Sequence, residues 1–524
     1  MMTNEPDAII VGSGHNSLAC ASHLSAKGWT VLILEKAEVA GGAVKCGEYT
    51  SPGFIHDWAT MNLSLFGGSP FFKKYQEILI KNGLEFVPTQ NCFATVFPDN
   101  KWLGIRNDMS KNLTQISKFS SKDSHMWKML TENFPDEAET IFRLLGNRLN
   151  YSTLFLLSFS MIRKKGISGA IDFIRFLLMS PRAWLDEKFE SKYLKTTLAA
   201  WGMHLDFSPD TAGGALFPYL EAMTNQSFGM VLGKGGADTI INAMINFIKS
   251  KGGQIQLNSE VSEIIHKNNV ATGVRLIDGS NMNAKRCVIA NVSPSALLKL
   301  TGKFKDKRYS NALAQFRHAP GTMMIHLAMD SLPDWKASVE LKEFAYVHVA
   351  PSLGVMANTY QQALDGILPN QPVIVVGQPT SVDNSRAPVG KHTLWIQVRM
   401  VPGQINGDAA GEITGKDWSE IKENYADRVL DILEGYAPEI KKKIIMRHVV
   451  SPIDLEKDNP NLVFGDQICG SHHLTQHFIF RPVRGYTDGT TPIRNLYHTG
   501  AAIWPGAGTG AGSGFLLGQK LAGN

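Results

Sequence analysis

The chain has 524 residues, a formal net charge of +5, 44% hydrophobic and 19% charged residues. That length exceeds one ordinary core and predicts two domains, the composition excludes a disordered chain, and the small net charge gives no basis for a nucleic-acid partner. Cys20, Cys46, Cys92, Cys287 and Cys469 are scattered without a C-x-x-C pair, which excludes a close dithiol and zinc spacing and reads as reduced and intracellular.

A few polar residues precede the first strand, so no signal or transit peptide is expected and the location reads as cytoplasmic. Ala8-Ile9-Ile10-Val11 reads as a strand, Gly12-Ser13-Gly14-His15-Asn16-Ser17 as a glycine turn opening a helix, and Val31 to Leu34 as a second strand ending at Glu35. This pattern suits an adenine dinucleotide. Gly12 permits the tight turn, Gly14 lets the backbone approach a pyrophosphate, and the helix N-terminus near His15 and Asn16 faces that pyrophosphate. Glu35 is placed to accept from a ribose hydroxyl, which favours FAD or NAD over NADP. Ser17 stands where the fingerprint has its third glycine and predicts a slightly wider helix–strand contact.

Residues from about 101 to 227 carry helical spacing and many aromatics, with no alternating strand expected before Phe217-Pro218-Tyr219. Leu154 to Ile162 and Ile171 to Met179 are too short to span a bilayer and too apolar for an ordinary solvated helix. Two readings stand: a pair of core helices, or a surface lying on a membrane or gating a lipid-like substrate, with Arg163-Lys164-Lys165 at headgroup level. Gly233 to Asp238 opens an amphipathic helix with Ile240, Ile241, Met244, Ile245 and Ile248 on one side, stopped at Gly252-Gly253. Short strands are expected from Gln254, Val261, Ala271 and Arg286, later at Met323 to Met329 and His392 to Val398, with a helix around Asp427 to Leu433.

Asn495 to Gly500 returns to a strand, and Pro505 to Gly514 is glycine-rich before a final helix near Phe515. A glycine loop between strand and helix reads as a second anion site. Two such turns at opposite ends of the chain suit one long cofactor, FAD. No other strand–G-x-G-x-x-G–helix unit lies mid-chain, so electrons would be exchanged with an external acceptor or donor such as oxygen, a quinone or a soluble carrier.

The G-S-G-H-N-S-L start, Glu35-Lys36 followed by Gly41-Gly42-Ala43, Pro52-Gly53-Phe54, Gly233-Lys234-Gly235-Gly236, Arg481-Pro482 and the Pro505-Gly506 loop together resemble the phytoene-desaturase-like FAD oxidoreductases. The His15-Asn16 pair resembles the branch of carotene ketolases and pyridine nucleotide-disulfide oxidoreductase domain-containing proteins. The resemblance implies an α/β fold: a Rossmann-like FAD-binding domain from about 1–100, 228–300 and 456–524, and an α+β substrate domain from about 101–227 and 301–455. It implies FAD held by Gly12, Gly14, His15, Asn16, Ser17, Glu35, Lys36, Gly41, Gly42, Ala43, Val261, Gly500, Pro505, Gly506, Ala507 and Gly508. Trp504 departs from the histidine expected before Pro-Gly in many relatives.

The implied chemistry is desaturation, saturation or ketolation of a hydrophobic isoprenoid or polyene. Oxidation of a smaller amine or alcohol, and a non-catalytic flavoprotein, are the alternatives. No Ser-His-Asp or paired-carboxylate pattern is present and no metal is expected. Weak candidates for handling a proton or holding an oxygen are His472, His473 and Arg481, with His477 and His498 as further histidines and Trp504 as a residue facing the flavin.

Overall fold

The computed structural model describes residues 5–524. Five parallel strands form a first sheet in the order Leu496–His498, Cys287–Ala290, Ala8–Val11, Val31–Leu34, Gln254–Gln256. The two runs Ala8–Val11 and Val31–Leu34 are apolar throughout because helices or loops cover both faces of a parallel sheet. The chain reverses direction across the sheet beside Ala8–Val11, and such a reversal opens a crevice beyond the carboxyl ends of the strands. The sheet is thus assembled from pieces far apart in sequence.

Two helices from opposite ends of the chain cover one face. His15–Ala26 packs against Gly512–Ala522, and a Cβ on Gly514 would lie 1.7 Å from the Asn16 carbonyl oxygen. The backbones touch there, which only glycine permits. Thr239–Ser250 joins them by burying Ile240, Ile241, Met244, Phe247 and Ile248, with Ile245 at the edge. Fully burying five such side chains contributes on the order of 10 kcal/mol before conformational entropy is charged. A small meander, Val261–Lys267, Val270–Leu276 and Asn281–Asn283, covers the other side. Its first turn uses Asn268 and Asn269, both at positive φ, the backbone that a two-residue hairpin turn demands.

The second sheet has seven strands in the order Ile444–Val450, Gly321–Met329, His392–Val401, Val373–Gly377, Tyr346–Val349, Asn91–Val96, Trp102–Arg106. Its two faces differ in chemistry because alternate residues point to opposite sides. Ile325, Leu327, Ile396, Val398, Ile374 and Val347 pack under the helix Trp418–Tyr436. The opposite face carries a register row of His448, His326, Trp395, Gly377, Tyr346 and Phe93. Gly377 is small because a Cβ there would lie 2.9 Å from Met61 Sδ and 3.1 Å from the Trp395 ring.

The structure corrects three expectations. Trp102–Arg106 is a strand inside the stretch read as helical, and Asn91–Val96, on the near side of residue 100, belongs to the second sheet. Phe217, Pro218 and Tyr219 lie in the helix Leu216–Phe228, where Pro218 occupies an early position whose missing N–H costs no helix bond. The helical stretch Tyr151–Leu178, broken at Gly166, is not a pair of core helices. Tyr151 is 72%, Phe155 70%, Ile167 68% and Ile171 60% exposed, and only Ala170 is buried. Among the described residues no helix is long and apolar enough to cross a membrane.

Candidate cofactor cleft

A cleft with about 1420 Å³ of empty space, including its open mouth, lies at the carboxyl ends of the first sheet's strands. Gly12, Gly14, His15, Asn16, Glu35, Lys36, Gly41, Gly42, Ala43, Val261 and Gly500 all line it. Gly12 turns at φ +89, and Gly41 at φ +117 bridges to Gly14. The helix His15–Ala26 has Gly14 at its cap, no side-chain cap bond and no acid in its first turn. Its first N–H groups therefore suit an anion, which the helix dipole also favours.

The acid at the end of the second strand is partly committed. Glu35 Oε2 accepts from the Ser13 amide at 2.8 Å and the Ser13 hydroxyl at 2.7 Å, and Oε1 accepts from the Ala37 amide at 2.9 Å. Oε1 keeps a lone pair for a further donor. Ser17 lies beneath the glycine turn. It is buried, its hydroxyl lies 2.7 and 2.8 Å from the Gly12 and Gly14 carbonyl oxygens, and it accepts from Asn291 Nδ2 at 3.0 Å.

Asn291, which follows the strand Cys287–Ala290, belongs to no motif that the sequence displays. A Cβ on Gly14 would meet its Nδ2 at 2.8 Å, and one on Gly500 would meet its Oδ1 at 2.3 Å. Asn291 therefore sits where the N-terminal and C-terminal glycine turns converge. Lys45 and its ion-pair partner Asp458 line the inner end of the cleft, and Asn459, Asn461 and Gln467 line its wall. Their positions follow from tertiary packing, and no local motif announces them.

Pro505, Gly506, Ala507 and Gly508 do not line the cleft itself. They lie beside it: the Gly508 carbonyl oxygen is 3.1 Å from His15 Nε2, and burial keeps His15 neutral by lowering it to about 4. The weak candidates resolve into supports for this turn. His472 Nε2 accepts from the Ala507 amide at 3.0 Å, and burial with Arg481 nearby holds the ring far below the usual histidine range. Among the described residues Arg481 has no salt-bridge partner, and its side chain is fully buried. Its guanidinium donates to the carbonyls of Cys469, Gly470, Ser471 and Ala501, and burial lowers it to about 10. His473 lies away from the cleft, against Asp206 and Tyr360. Trp504 is 1% exposed, donates to the Asn147 carbonyl at 2.9 Å and packs on His477 and Phe478, so it does not face the cleft. His477 is fully enclosed, and His498 Nε2 lies 2.8 Å from the Val292 carbonyl oxygen.

Behind the inner end of the cleft lies the polar and aromatic face of the second sheet. Lys45 Nζ stands 5.2 Å over the Trp58 ring, and Trp58 stacks on His326 with centroids 5.9 Å apart. Rings continue across the sheet from Trp395 to Tyr346 at 6.0 Å and from Tyr346 to Trp201 at 6.2 Å. The alternation His392-Thr393-Leu394-Trp395-Ile396-Gln397-Val398-Arg399 was the available signal for this face, since every second residue is polar or aromatic. Among the described residues no group of three His, Cys, Asp or Glu could hold a metal ion.

The sequence model of the family described as flavin containing amine oxidoreductase matches residues 18–452. Pyridine nucleotide-disulfide oxidoreductase domain-containing protein 2 of Mus musculus is 26% identical, over 96% of this chain and 91% of its own. The 4,4'-diapophytoene desaturase (4,4'-diapolycopene-forming) of Methylomonas sp is 24% identical, over 97% of this chain and 93% of its own. An oxidoreductase of Methanosarcina mazei superposes with a TM-score of 0.62 at 17% identity, covering 98% of this chain and 99% of its own.

Proposed function

This chain belongs to the flavin containing amine oxidoreductase family and is an FAD-dependent oxidoreductase, and we propose that it acts on a hydrophobic isoprenoid or polyene by desaturation, saturation or ketolation. The observation that carries this reading is the row of rings across the second sheet, which begins beside Lys45 at the inner end of the cleft. An extended unsaturated chain stacks on such a row along its whole length. A relative named for 4,4'-diapophytoene desaturation supports the substrate class.

The residues of the cleft fit FAD. In this reading Gly12, Gly14, His15 and Asn16 hold the pyrophosphate, Glu35 and Lys36 the adenosine side, and Val261 the adenine. Gly41, Gly42, Ala43 and Gly500 lie along the cofactor, with the turn Pro505 to Gly508 as its second support. Ser17 and Asn291 position these turns from behind. FAD supplies hydride uptake or release when bound. The protein's part is to orient the chain on the ring row and exclude water. Electrons pass to or from an external carrier, such as oxygen, a quinone or a soluble protein.

The reading extends to peripheral contact with a membrane. Tyr151, Phe155, Phe159 and Ile162, then Ile167, Ile171, Ile174 and Leu178, are exposed at helical spacing on either side of Gly166. A stripe of this kind suits the headgroup–acyl boundary. Leu154, on the same helix, packs against the cluster of Leu149, Trp504 and Leu516, so this surface adjoins the C-terminal glycine turn.

The test is anaerobic reduction of the purified yellow protein, with extraction of co-purified small molecules. Polyenes dispersed in micelles should bleach the flavin, or reduced enzyme should saturate them, and lipid vesicles should retain the protein in flotation. Rapid bleaching by water-soluble amines with no response to any polyene would refute the substrate class.

A further inference from the structure

The second sheet ends at the strand Trp102–Arg106, and the helix Met109–Ser117 lies against that edge. Gln115 ties the two together. Its Nε2 donates to the Trp102 carbonyl oxygen at 3.3 Å, and its Oε1 accepts from the Gly104 amide at 3.3 Å and from Arg106 Nη1 at 3.0 Å. The edge groups that would template an added strand at Trp102 and Gly104 are therefore already bonded, which disfavours a peptide there. A groove stays open between strand and helix, with about 1120 Å³ of empty space including its mouth, and Ala337 and Glu340 complete its lining.

The groove is cationic. Lys101, Arg106, Lys111 and Lys118 line it, against the single carboxylate of Glu340. Lys101 and Arg106 have acidic partners, Asp99 at 3.6 Å and Glu340 at 2.8 Å. Lys111 and Lys118 have no salt-bridge partner among the described residues, and the helix Met109–Ser117 contains no acid. The next helix, Ser121–Leu145, shows the ordinary arrangement of a solvated face: Lys122, Lys128 and Arg143 each pair with a glutamate. The unpaired lysines are thus concentrated where the groove is.

The arrangement of these charges defines the ligand. Helical spacing puts Lys111, Gln115 and Lys118 on one face, and the bonds of Gln115 turn that face toward the strand. The two lysines therefore flank Gln115, about 10 Å apart along the helix. Arg106 forms the floor between them. Its side chain is 6% exposed, and its guanidinium lies 5.4 Å from the Trp102 ring centroid and 4.7 Å from that of Phe344. Burial lowers Arg106 even with Glu340 beside it, so a further negative charge nearby is favourable. Cations spread over such a distance match two linked phosphates better than one, since lysine binds phosphate as a point charge and arginine as a fork. Trp102 and Phe119 add ring surface to the lining, which suits an organic body attached to the phosphates.

We propose that this groove is a second ligand site, separate from the cofactor cleft, and that it binds an organic diphosphate, with Lys111, Lys118 and Arg106 on the phosphates and Trp102 against the organic part. Trp102 packs on Phe344 with the aliphatic face of the sheet, so the groove opens on the side opposite the ring row. Five strand spacings, about 24 Å, separate Trp102–Arg106 from the strand that carries His326. The ligand is therefore held away from the cofactor cleft and from the proposed path of the polyene, and the site stands whether or not that path is correct. A nucleoside diphosphate and an alkyl diphosphate share this chemistry, and the experiment separates them.

The experiment uses protein saturated with FAD, so that the cleft is filled, at about 0.15 M salt, where weak surface attraction is screened. Calorimetry titrates it with ADP, geranyl diphosphate, inorganic pyrophosphate and inorganic phosphate. At least one organic diphosphate should bind at least tenfold more tightly than inorganic phosphate, about 1.4 kcal/mol. Preference for ADP supports the site with a nucleoside as the organic part, and preference for geranyl diphosphate supports it with an alkyl chain. The double variant Lys111→Ala, Lys118→Ala changes two exposed side chains, so it should keep its flavin spectrum and lose at least tenfold in affinity for the preferred diphosphate. Trp102→Leu should weaken that diphosphate at least threefold and inorganic pyrophosphate by less. No binding of either organic diphosphate, equal affinity for these and phosphate, or undiminished binding by the double variant overturns the proposal. Release of FAD during the titration, seen as a rise in free-flavin fluorescence, places the binding in the cleft and overturns it too.

Discussion

Replacing Gly514 by alanine tests the contact between the two ends of the chain. The added Cβ would lie 1.7 Å from the Asn16 carbonyl oxygen, 2.5 Å from its carbonyl carbon and 3.0 Å from its Cα. All three are backbone atoms in a helix, so no side-chain rotation relieves the overlap. The C-terminal helix must back away by roughly 1.5 Å to restore ordinary contact. Ser513 moves with it, and Ser513 Oγ lies within bonding distance of Asn16 Oδ1, the Gly500 amide and carbonyl, and Thr499 Oγ1. Overpacking of this kind costs about 1–3 kcal/mol where side chains yield, and the rigid backbone here places Gly514→Ala at or above the upper end. Because the displaced groups border the cleft, FAD affinity should fall at least tenfold as well. Gly518→Ala is the internal control: the three atoms nearest its Cβ would be Cβ, Cδ2 and Cγ of the His23 side chain, at 3.1–3.3 Å, and it should cost about 1 kcal/mol. The assay is urea unfolding of the FAD-free protein together with fluorescence titration by FAD. Wild-type stability and affinity in Gly514→Ala, or equal losses in both variants, would refute the backbone-contact argument.

Acid should destabilise the fold well above the carboxylate range. Burial lowers His498 to about 4 and His56 and His348 to about 3, so the folded state keeps them neutral while the unfolded chain protonates near 6.5. Their stabilisation is complete above pH 6.5 and falls as pH drops toward 4 and then 3, at up to about 4 kcal/mol per pH unit for the three together. Urea midpoints at pH 7.5, 6 and 5 measure this, and a flat profile over that range contradicts it. Thr393→Val removes a fully buried hydroxyl with no hydrogen-bond partner among the described residues, and should raise stability by about 1 kcal/mol in thermal or urea unfolding. Arg386→Met strands Asp57, which pairs with that guanidinium at 2.5 Å with both side chains fully buried, and should cost about 3–5 kcal/mol by the same measurement.

That Gly12, Gly14 and Glu35 line one cleft was legible because their geometry is local. Gly12, Gly14 and Glu35 lie on one strand–turn–helix–strand unit, so spacing alone brings them together. The distant Pro505 to Gly508 turn reads in the sequence as a second anion site; in the structure its Gly508 carbonyl oxygen lies 3.1 Å from His15 Nε2 and the turn sits beside the cleft without lining it. The roles of the histidines and Arg481 were not legible, because a buried ring or guanidinium bonded to carbonyls looks in sequence like one awaiting a ligand. The same limit hid Asn291, whose importance comes from two turns closing on it. The exposed faces of Tyr151–Leu178 were ambiguous for a different reason: hydropathy reports that a helix is apolar and says nothing of what covers it.

The order of strands in the first sheet has a consequence for synthesis. Domains fold as units, and the chain emerges from its N-terminus. Strands Ala8–Val11 and Val31–Leu34 are made first, and their sheet gains Leu496–His498, and the glycine turn and helix beyond it, only after the second sheet has been made. The first sheet therefore stays incomplete while the almost 500 residues between its first strand and its edge strand are made. A chain that stalls before residue 496 leaves the sheet without its edge strand and the candidate cleft without the glycine turn beyond it.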